Sequence, residues 1–414
     1  MIFNNRLFFI ICHSLITISA YSQNNTASPY SMYGIGNIEN KGDAINMGMG
    51  HTGLALSATN YINTINPASL SSMDSLTMLF NLQVRGTLST FETSSEQQTN
   101  FNSNINGFSM AFKVNPRWGM GFSLSPYSNV GYKIKSEKYL IGTTGTYPVT
   151  YEGEGGVIEL GWSNGIEVFR NFSVGLKTSL LWGTVDVIET SEYPNILGQT
   201  IYNSHSYHIN NFNLEYSFQY TLPLNRYKLS FGGIYSSETS LNTWFKQRVY
   251  TAGDVEYYSE RMNADNLFLP TSYGGGVALQ KEKTWLLAFD YHAGNWSNIN
   301  LANTTHKTRD TQQFNVGIQY SPQKNMYQSI FNRMQYRLGA FYADRYLTIK
   351  DVELNEKGVT AGLTIPLKNR SLLNLGYEYK MGGSLKNGLI KENFHSVKLG
   401  LTFNESWFRK SVFK

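Results

Sequence analysis

The sequence predicts an all-β protein, a transmembrane antiparallel β-barrel of about fourteen strands with an N-terminal hatch segment in its lumen. Three observations lead there: the composition, a fine-grained alternation of apolar and polar residues, and the alternating lengths of the connections. Of 414 residues, aromatics make up 14% and charged residues only 15%. A soluble domain carries about 25% charged residues. Yet the mean hydropathy is −0.31, too polar for a bundle of membrane helices. A barrel in lipid reconciles the two, because its strands face hydrocarbon on one side and a polar lumen on the other. The net charge of +5 is spread along the chain without a basic run, so nucleic acid is not an expected partner.

Residues 1–22 read as a secretory leader. Arg6 supplies the positive start, Leu7 to Ile18 is mostly apolar, and Ala20-Tyr21-Ser22 places small residues at the cleavage positions. The single cysteine, Cys12, falls inside it, so disulfides and thiol chemistry are not expected in the mature chain. Export without a long apolar helix points to the outer membrane of a Gram-negative bacterium.

Residues 75–414 carry the barrel pattern. Phe212, Leu214, Tyr216, Phe218 and Tyr220 alternate with Asn213, Glu215, Ser217 and Gln219. Successive side chains of a strand point to opposite faces, so one face suits lipid and the other water. The same holds for Leu373 to Lys380 and for Val397 to Asn404. Tight turns are expected at Asn115-Pro116, Arg170-Asn171, Pro223 to Asn225, Lys281 to Lys283 and Leu367 to Asn369. Long loops are expected over 137–155, 190–204, 241–270 and 296–310, with 226–240 a single strand. Short turns at one rim and long loops at the other mark bacterial outer-membrane barrels.

Residues 23–74 do not alternate; they are rich in Asn, Ser and Gly and are expected on the periplasmic side or inside the lumen. Within them Gly48, Met49, Gly50 and Gly53 form a stretch that formally matches G-x-G-x-x-G. That motif binds dinucleotides only after a buried strand and before a helix. Neither is evident here, so the glycines read as close-packing points and no cofactor is expected. Asn66, Pro67 and Ala68 follow shortly before the first wall strand. In the third strand, read as 117–136, Pro126 has no N–H for the ladder and implies a bulge or a gap. Gly119, Gly121 and Gly131 nearby lack side chains that could fill such a lateral opening.

The order of Met47-Gly48-Met49-Gly50, a short apolar stretch and Asn66-Pro67-Ala68 resembles the FadL-like outer-membrane transporters of long-chain fatty acids and aromatic hydrocarbons. Leu269 to Gly274, Asp290-Tyr291 and Asn295-Trp296 are similar to later strands of that family. The resemblance implies fourteen strands, a hatch-plugged lumen, and passive uptake of a hydrophobic small molecule that leaves sideways into outer-membrane lipid. The alternative is a non-transporting partner subunit of a large outer-membrane secretion or barrel-assembly complex.

Catalysis is not expected. His205 and His208 fall on opposite faces of a strand and cannot share a metal. Asp290 and His292 share the inward parity, but no nucleophile motif accompanies them. With Lys177, Glu215, Arg337, Glu378, Lys380 and Lys398, they read as a paired, wet lumen.

Overall fold

The protein is described by a computed structural model covering residues 28–406, apart from 58, 76, 141, 143, 194–198, 264–266, 299–306, 323–328 and 368–369. The expected leader, residues 1–22, lies outside the described residues. No described helix is long and apolar enough to cross a membrane.

Fourteen antiparallel strands close into a ring. They are β2 (Thr77–Glu92), β3 (Gln97–Asn115), β4 (Trp118–Tyr139), β5 (Thr146–Phe169), β6 (Phe172–Tyr193), β7 (Gln199–Leu224) and β8 (Tyr227–Ser236), then β12 (Ser272–Lys281), β13 (Trp285–Gly294), β15 (Thr311–Tyr320), β16 (Gln335–Ile349), β17 (Val352–Pro366), β18 (Leu372–Gly383) and β19 (Lys391–Ser406). The last strand pairs with the first, from Lys391 opposite Glu92 to Ser406 opposite Thr77, so the ring leaves no free edge there.

The faces are those of a barrel in lipid. On β7 Phe212, Leu214, Tyr216 and Phe218 are exposed, while Asn213, Glu215, Ser217 and Gln219 are buried. On β19 Val397 and Leu399 point outward and Ser396 and Lys398 inward. A soluble sandwich has the reverse, with apolar side chains inside. At one rim the strands turn tightly, at Arg170-Asn171 between β5 and β6 and at Asn225-Arg226 between β7 and β8. Asn171 and Asn225 have φ of 66° and 51°, a left-handed conformation that asparagine tolerates better than most residues.

At the other rim several expected loops are strands. β4 and β5 stay paired as far as Tyr139 opposite Thr146, within the expected loop 137–155. β6 and β7 stay paired as far as Tyr193 opposite Gln199, within 190–204. The expected loop 241–270 is mostly a hairpin of β9 (Thr239–Thr251) and β10 (Glu256–Asn263). β9 pairs with Ile201–Asn210 of β7 and extends the sheet beyond the ring as a wing. A short β11 (Leu267–Leu269) returns along β9, after which β12 pairs with β8 and resumes the wall; a two-residue β14 (Lys307–Thr308) pairs with the end of β16. Residues 226–240 are therefore not one strand, since the chain leaves the wall after Ser236. Alternation vanishes in this region because both faces meet water, as on the exposed β10, while backbone pairing continues. Stacked rings hold the wing: His208 on Trp244 at 3.8 Å and the Arg261 guanidinium over Trp244 at 3.9 Å.

Residues 28–74 form small elements packed against the strands: a 3₁₀ turn (Pro29–Met32), β1 (Asn37–Ile38), the helix α1 (Ala44–Gly48) and a second 3₁₀ turn (Pro67–Ser72). A five-residue helix is marginal alone. Asp43 caps this one, its Oδ1 accepting from the Ile45 N–H at 2.8 Å, while Asn46 reciprocates from its own side chain.

The outward face of β7 sets a test. Phe218→Arg places a charge against hydrocarbon and should cost about 2–4 kcal/mol if it lies near the bilayer midplane. Gel migration of unboiled against boiled samples should show the native chain shifting on heating and much less folded Phe218→Arg; equal folded fractions would contradict the assignment of that face to lipid.

Candidate functional site

The interior of the ring is lined by small and polar residues, and residues 28–74 touch strands all around it. Close approach depends on glycine. A Cβ on Gly362 of β17 would stand 2.8 Å from the Gly48 Cα, and one on Gly376 of β18 would stand 2.8 Å from the Ala44 carbonyl oxygen. Gly232 of β8 receives the Leu54 carbonyl, Gly339 of β16 the Gly50 amide, and Gly175 of β6 the Ala68 amide, each with no room for a side chain. Met49 is fully buried and lies against Gly317 of β15. Gly53 packs on Ile65 and Asn46 within the segment itself.

Hydrogen bonds complete the seat. Asn66 donates from Nδ2 to the Leu54 carbonyl at 2.6 Å and to the Phe218 carbonyl of β7 at 3.0 Å. Pro67 opens the 3₁₀ turn, and the Ala68 N–H donates to Ser217 Oγ at 3.0 Å. Asp290 of β13 is fully buried; its Oδ2 accepts from the Gly53 and Leu54 N–H groups at 2.6 and 2.9 Å. This carboxylate thus holds backbone, and His292 is not its partner. The Gly50 N–H donates to Thr360 Oγ1 at 2.9 Å, and His51 meets Glu378 at 2.5 Å.

Toward the wing-bearing rim the contacts become ionic. Arg85 of β2 forks onto both oxygens of Glu39, at 2.6 and 2.7 Å. Burial opposes ionisation of Glu39, but the guanidinium holds its carboxyl down at about 2. Lys41 bonds Glu215 at 2.6 Å, and Lys177 bonds Glu159 at 2.8 Å. Arg345 joins Glu392 at 2.8 Å and also Glu356, and Glu392 accepts from the Ser28 hydroxyl. Lys380 meets Glu356 at 3.2 Å and the Lys398 ammonium donates to the Gly42 carbonyl at 3.4 Å; nearer the tight-turn rim, Arg337 donates to Thr364 at 2.7 Å. These partners are 11 to 364 residues apart in the chain, which hides the pairing from the sequence.

The wall has one irregular seam. β3 and β4 pair only from Asn115 opposite Trp118 to Phe108 opposite Leu124. Just beyond, the register of β4 against β5 slips between Pro126 and Ser128. The strand is bulged there rather than interrupted, since β4 runs through to Tyr139. Its β3-facing edge is taken over by the N-terminal segment: the Glu39 N–H donates to the Tyr127 carbonyl at 2.9 Å, β1 pairs with Ser128 and Asn129, and the Ser28 N–H donates to Gly131. Pro126 and Gly131 are therefore at the seam. Gly119 and Gly121 are not; both face Leu70 near the tight-turn rim.

A cavity of about 290 Å³ lies beside the seam. Phe108, Leu124, Pro126 and Tyr127 border one side, and Trp296 stacked on Tyr346 at 4.4 Å borders another. Lys41, Glu215, Lys177, Glu159 and Arg345 also line it. Among the described residues no cluster of His, Cys, Asp and Glu could hold a metal ion.

Replacing Gly232 by Val should push the Leu54 backbone off the wall, and Asp290→Ala should strip two buried N–H groups of their acceptor, at about 1–3 kcal/mol each. Limited proteolysis of folded, detergent-solubilised barrel should then cut within residues 44–70, where the native chain resists. Native-like resistance in both variants would contradict this seating.

The family described as BamG matches residues 1–414. A search of curated proteins finds no match. Among solved structures, the toluene transporter TbuX of Ralstonia pickettii is 13% identical with a TM-score of 0.62, over 89% of this chain and 99% of that one. The toluene transporter TodX of P. putida is 14% identical with a TM-score of 0.60, over 90% and 100%. A Pseudomonas aeruginosa FadL homologue is 12% identical with a TM-score of 0.60, over 90% and 99%. The fold is thus that of the FadL-like outer-membrane barrels, as the sequence motifs implied. By a match along its whole length, the chain belongs to the BamG family.

Proposed function

We propose that this protein is a non-conducting outer-membrane barrel, closed by residues 23–74 as a hatch, that serves as a partner subunit of a larger secretion or barrel-assembly complex. The observation that carries this reading is the charge pairing in the lumen. A pocket for an apolar ligand is lined mostly by apolar side chains with few polar groups. Here Lys41–Glu215, Lys177–Glu159 and Arg345–Glu356 border the cavity, and Lys177–Glu159 is almost wholly buried. Lys41–Glu215 and Glu39–Arg85 join the hatch to the wall; removing one partner from a buried pair costs about 3–5 kcal/mol, so shifting the hatch to open a path would be costly. The wing offers a contact surface beyond the membrane, with Val255, Tyr257 and Tyr258 exposed at its outer end.

Outer membranes solubilised in a mild detergent and resolved on native gels test this. The expected result is a stable, stoichiometric assembly well above the 46.9 kDa of the chain. A species of monomer size alone would contradict it.

One observation favours passive uptake of a hydrophobic small molecule with lateral exit: the β3–β4 ladder ends where the cavity reaches Phe108, Leu124 and Pro126. TbuX and TodX, toluene transporters by name, share the fold. On that reading Pro126→Val, which can donate a ladder N–H, should lower uptake of a hydrophobic probe several-fold. Unchanged uptake in a correctly inserted variant would sink the lateral exit.

A further inference from the structure

The cavity beside the seam is bordered by polar atoms that the lumen's pairing does not use. Glu215 is 3% exposed, and its Oε2 accepts from Lys41, but its Oε1 has no hydrogen-bond partner among the described residues. The Arg345 side chain is 10% exposed; Nε and Nη2 serve Glu356 and Glu392, whereas Nη1 has none. Ser109 Oγ, 2% exposed, also has none, and all three residues line the same cavity. Buried polar groups are nearly always bonded, and each exception needs an explanation.

The three atoms differ in what they ask of a ligand. Glu215 Oε1 is an anionic acceptor and calls for a cationic or N–H donor. Arg345 Nη1 is a cationic donor and calls for a carboxylate or other anionic acceptor, which it binds with directional hydrogen bonds. The Ser109 hydroxyl satisfies either kind of group. Five carboxylates and four Lys or Arg side chains border the cavity, so its lining is close to charge balance. Such a lining does not favour a net anion or a net cation. It favours a molecule with both charges. The volume of 290 Å³ is at the small end of ligand pockets, about 300–1,000 Å³. The stacked Trp296 and Tyr346 offer an apolar wall for a short carbon skeleton.

We propose that this cavity is a binding site for a small zwitterion of amino-acid or dipeptide size, its ammonium on Glu215 and its carboxylate on Arg345. Such a ligand would bridge β7 to β16 beside Lys41. The site goes beyond the subunit reading and stands or falls without it, because it is tested on the isolated chain.

Calorimetric titration of the full-length mature protein in detergent with glycylglycine is the test. N-acetylglycine, which carries only the anion, and glycinamide, which carries only the cation, are the comparisons. The expected result is saturable heat with glycylglycine and at least tenfold weaker binding of the other two. Glu215→Gln and, separately, Ser109→Ala should each weaken glycylglycine, the first by tenfold or more. Heat-modifiable gel migration confirms that each variant is folded. The mild Ser109→Ala keeps the test alive if Glu215→Gln fails to fold. No heat with glycylglycine up to 10-millimolar concentrations, on the order of the weakest useful affinity, would overturn the proposal and assign the cavity to water. Equal binding of all three probes, or native affinity in both variants, would overturn it as well.

Discussion

A charge buried inside a barrel needs a partner, and in this protein residues 28–74 supply many of them. Glu215, Glu378 and Glu392 of the wall are each at most 6% exposed, a position a lone carboxylate does not occupy as an ion. Lys41, His51 and Ser28 of the N-terminal segment answer them in turn. The relation also runs the other way, with Arg85 and Asp290 of the wall binding Glu39 and the Gly53 and Leu54 amides. Wall and segment therefore complete one another's hydrogen bonding, and neither is well satisfied alone.

Shape follows the same logic. For the segment's backbone to reach wall donors and acceptors, the wall must drop its side chains where the two meet. It does so at Gly175, Gly232, Gly339 and Gly362, one each on four strands. At the seam the segment also replaces a missing neighbour. Where β3 leaves β4, backbone groups of Tyr127 to Gly131 are met by Glu39, β1 and Ser28. An unpaired strand edge in a membrane wall is costly, so the local break and the segment that covers it belong to one solution.

The wall was legible in the sequence because lipid outside and polar lumen inside impose a period of two, as on Phe212 to Tyr220. Beyond the membrane that constraint lapses. Strands over 137–155 and the β9–β10 hairpin therefore read as loops, although their backbones pair like any others. Pro126 announced a local irregularity through its missing N–H, and a bulge stands there. Gly119 and Gly121 shared its strand and its smallness, but strand position alone does not reveal which height of the barrel a glycine serves. They receive Leu70 instead. The ion pairs were half visible. Parity placed Lys177, Glu215 and Glu378 inward, but their partners lie on other strands and on the segment, at separations no local pattern records.

The central claim is that residues 28–74 close the lumen, and bilayer conductance tests it most directly. Native protein in planar bilayers should show no steady ion conductance. A chain lacking residues 28–60, with the Asn66 to Ser72 turn kept as the foot of the first wall strand, should insert and conduct in discrete open steps. A deletion barrel that is folded by gel migration yet conducts no more than the native chain would contradict the account.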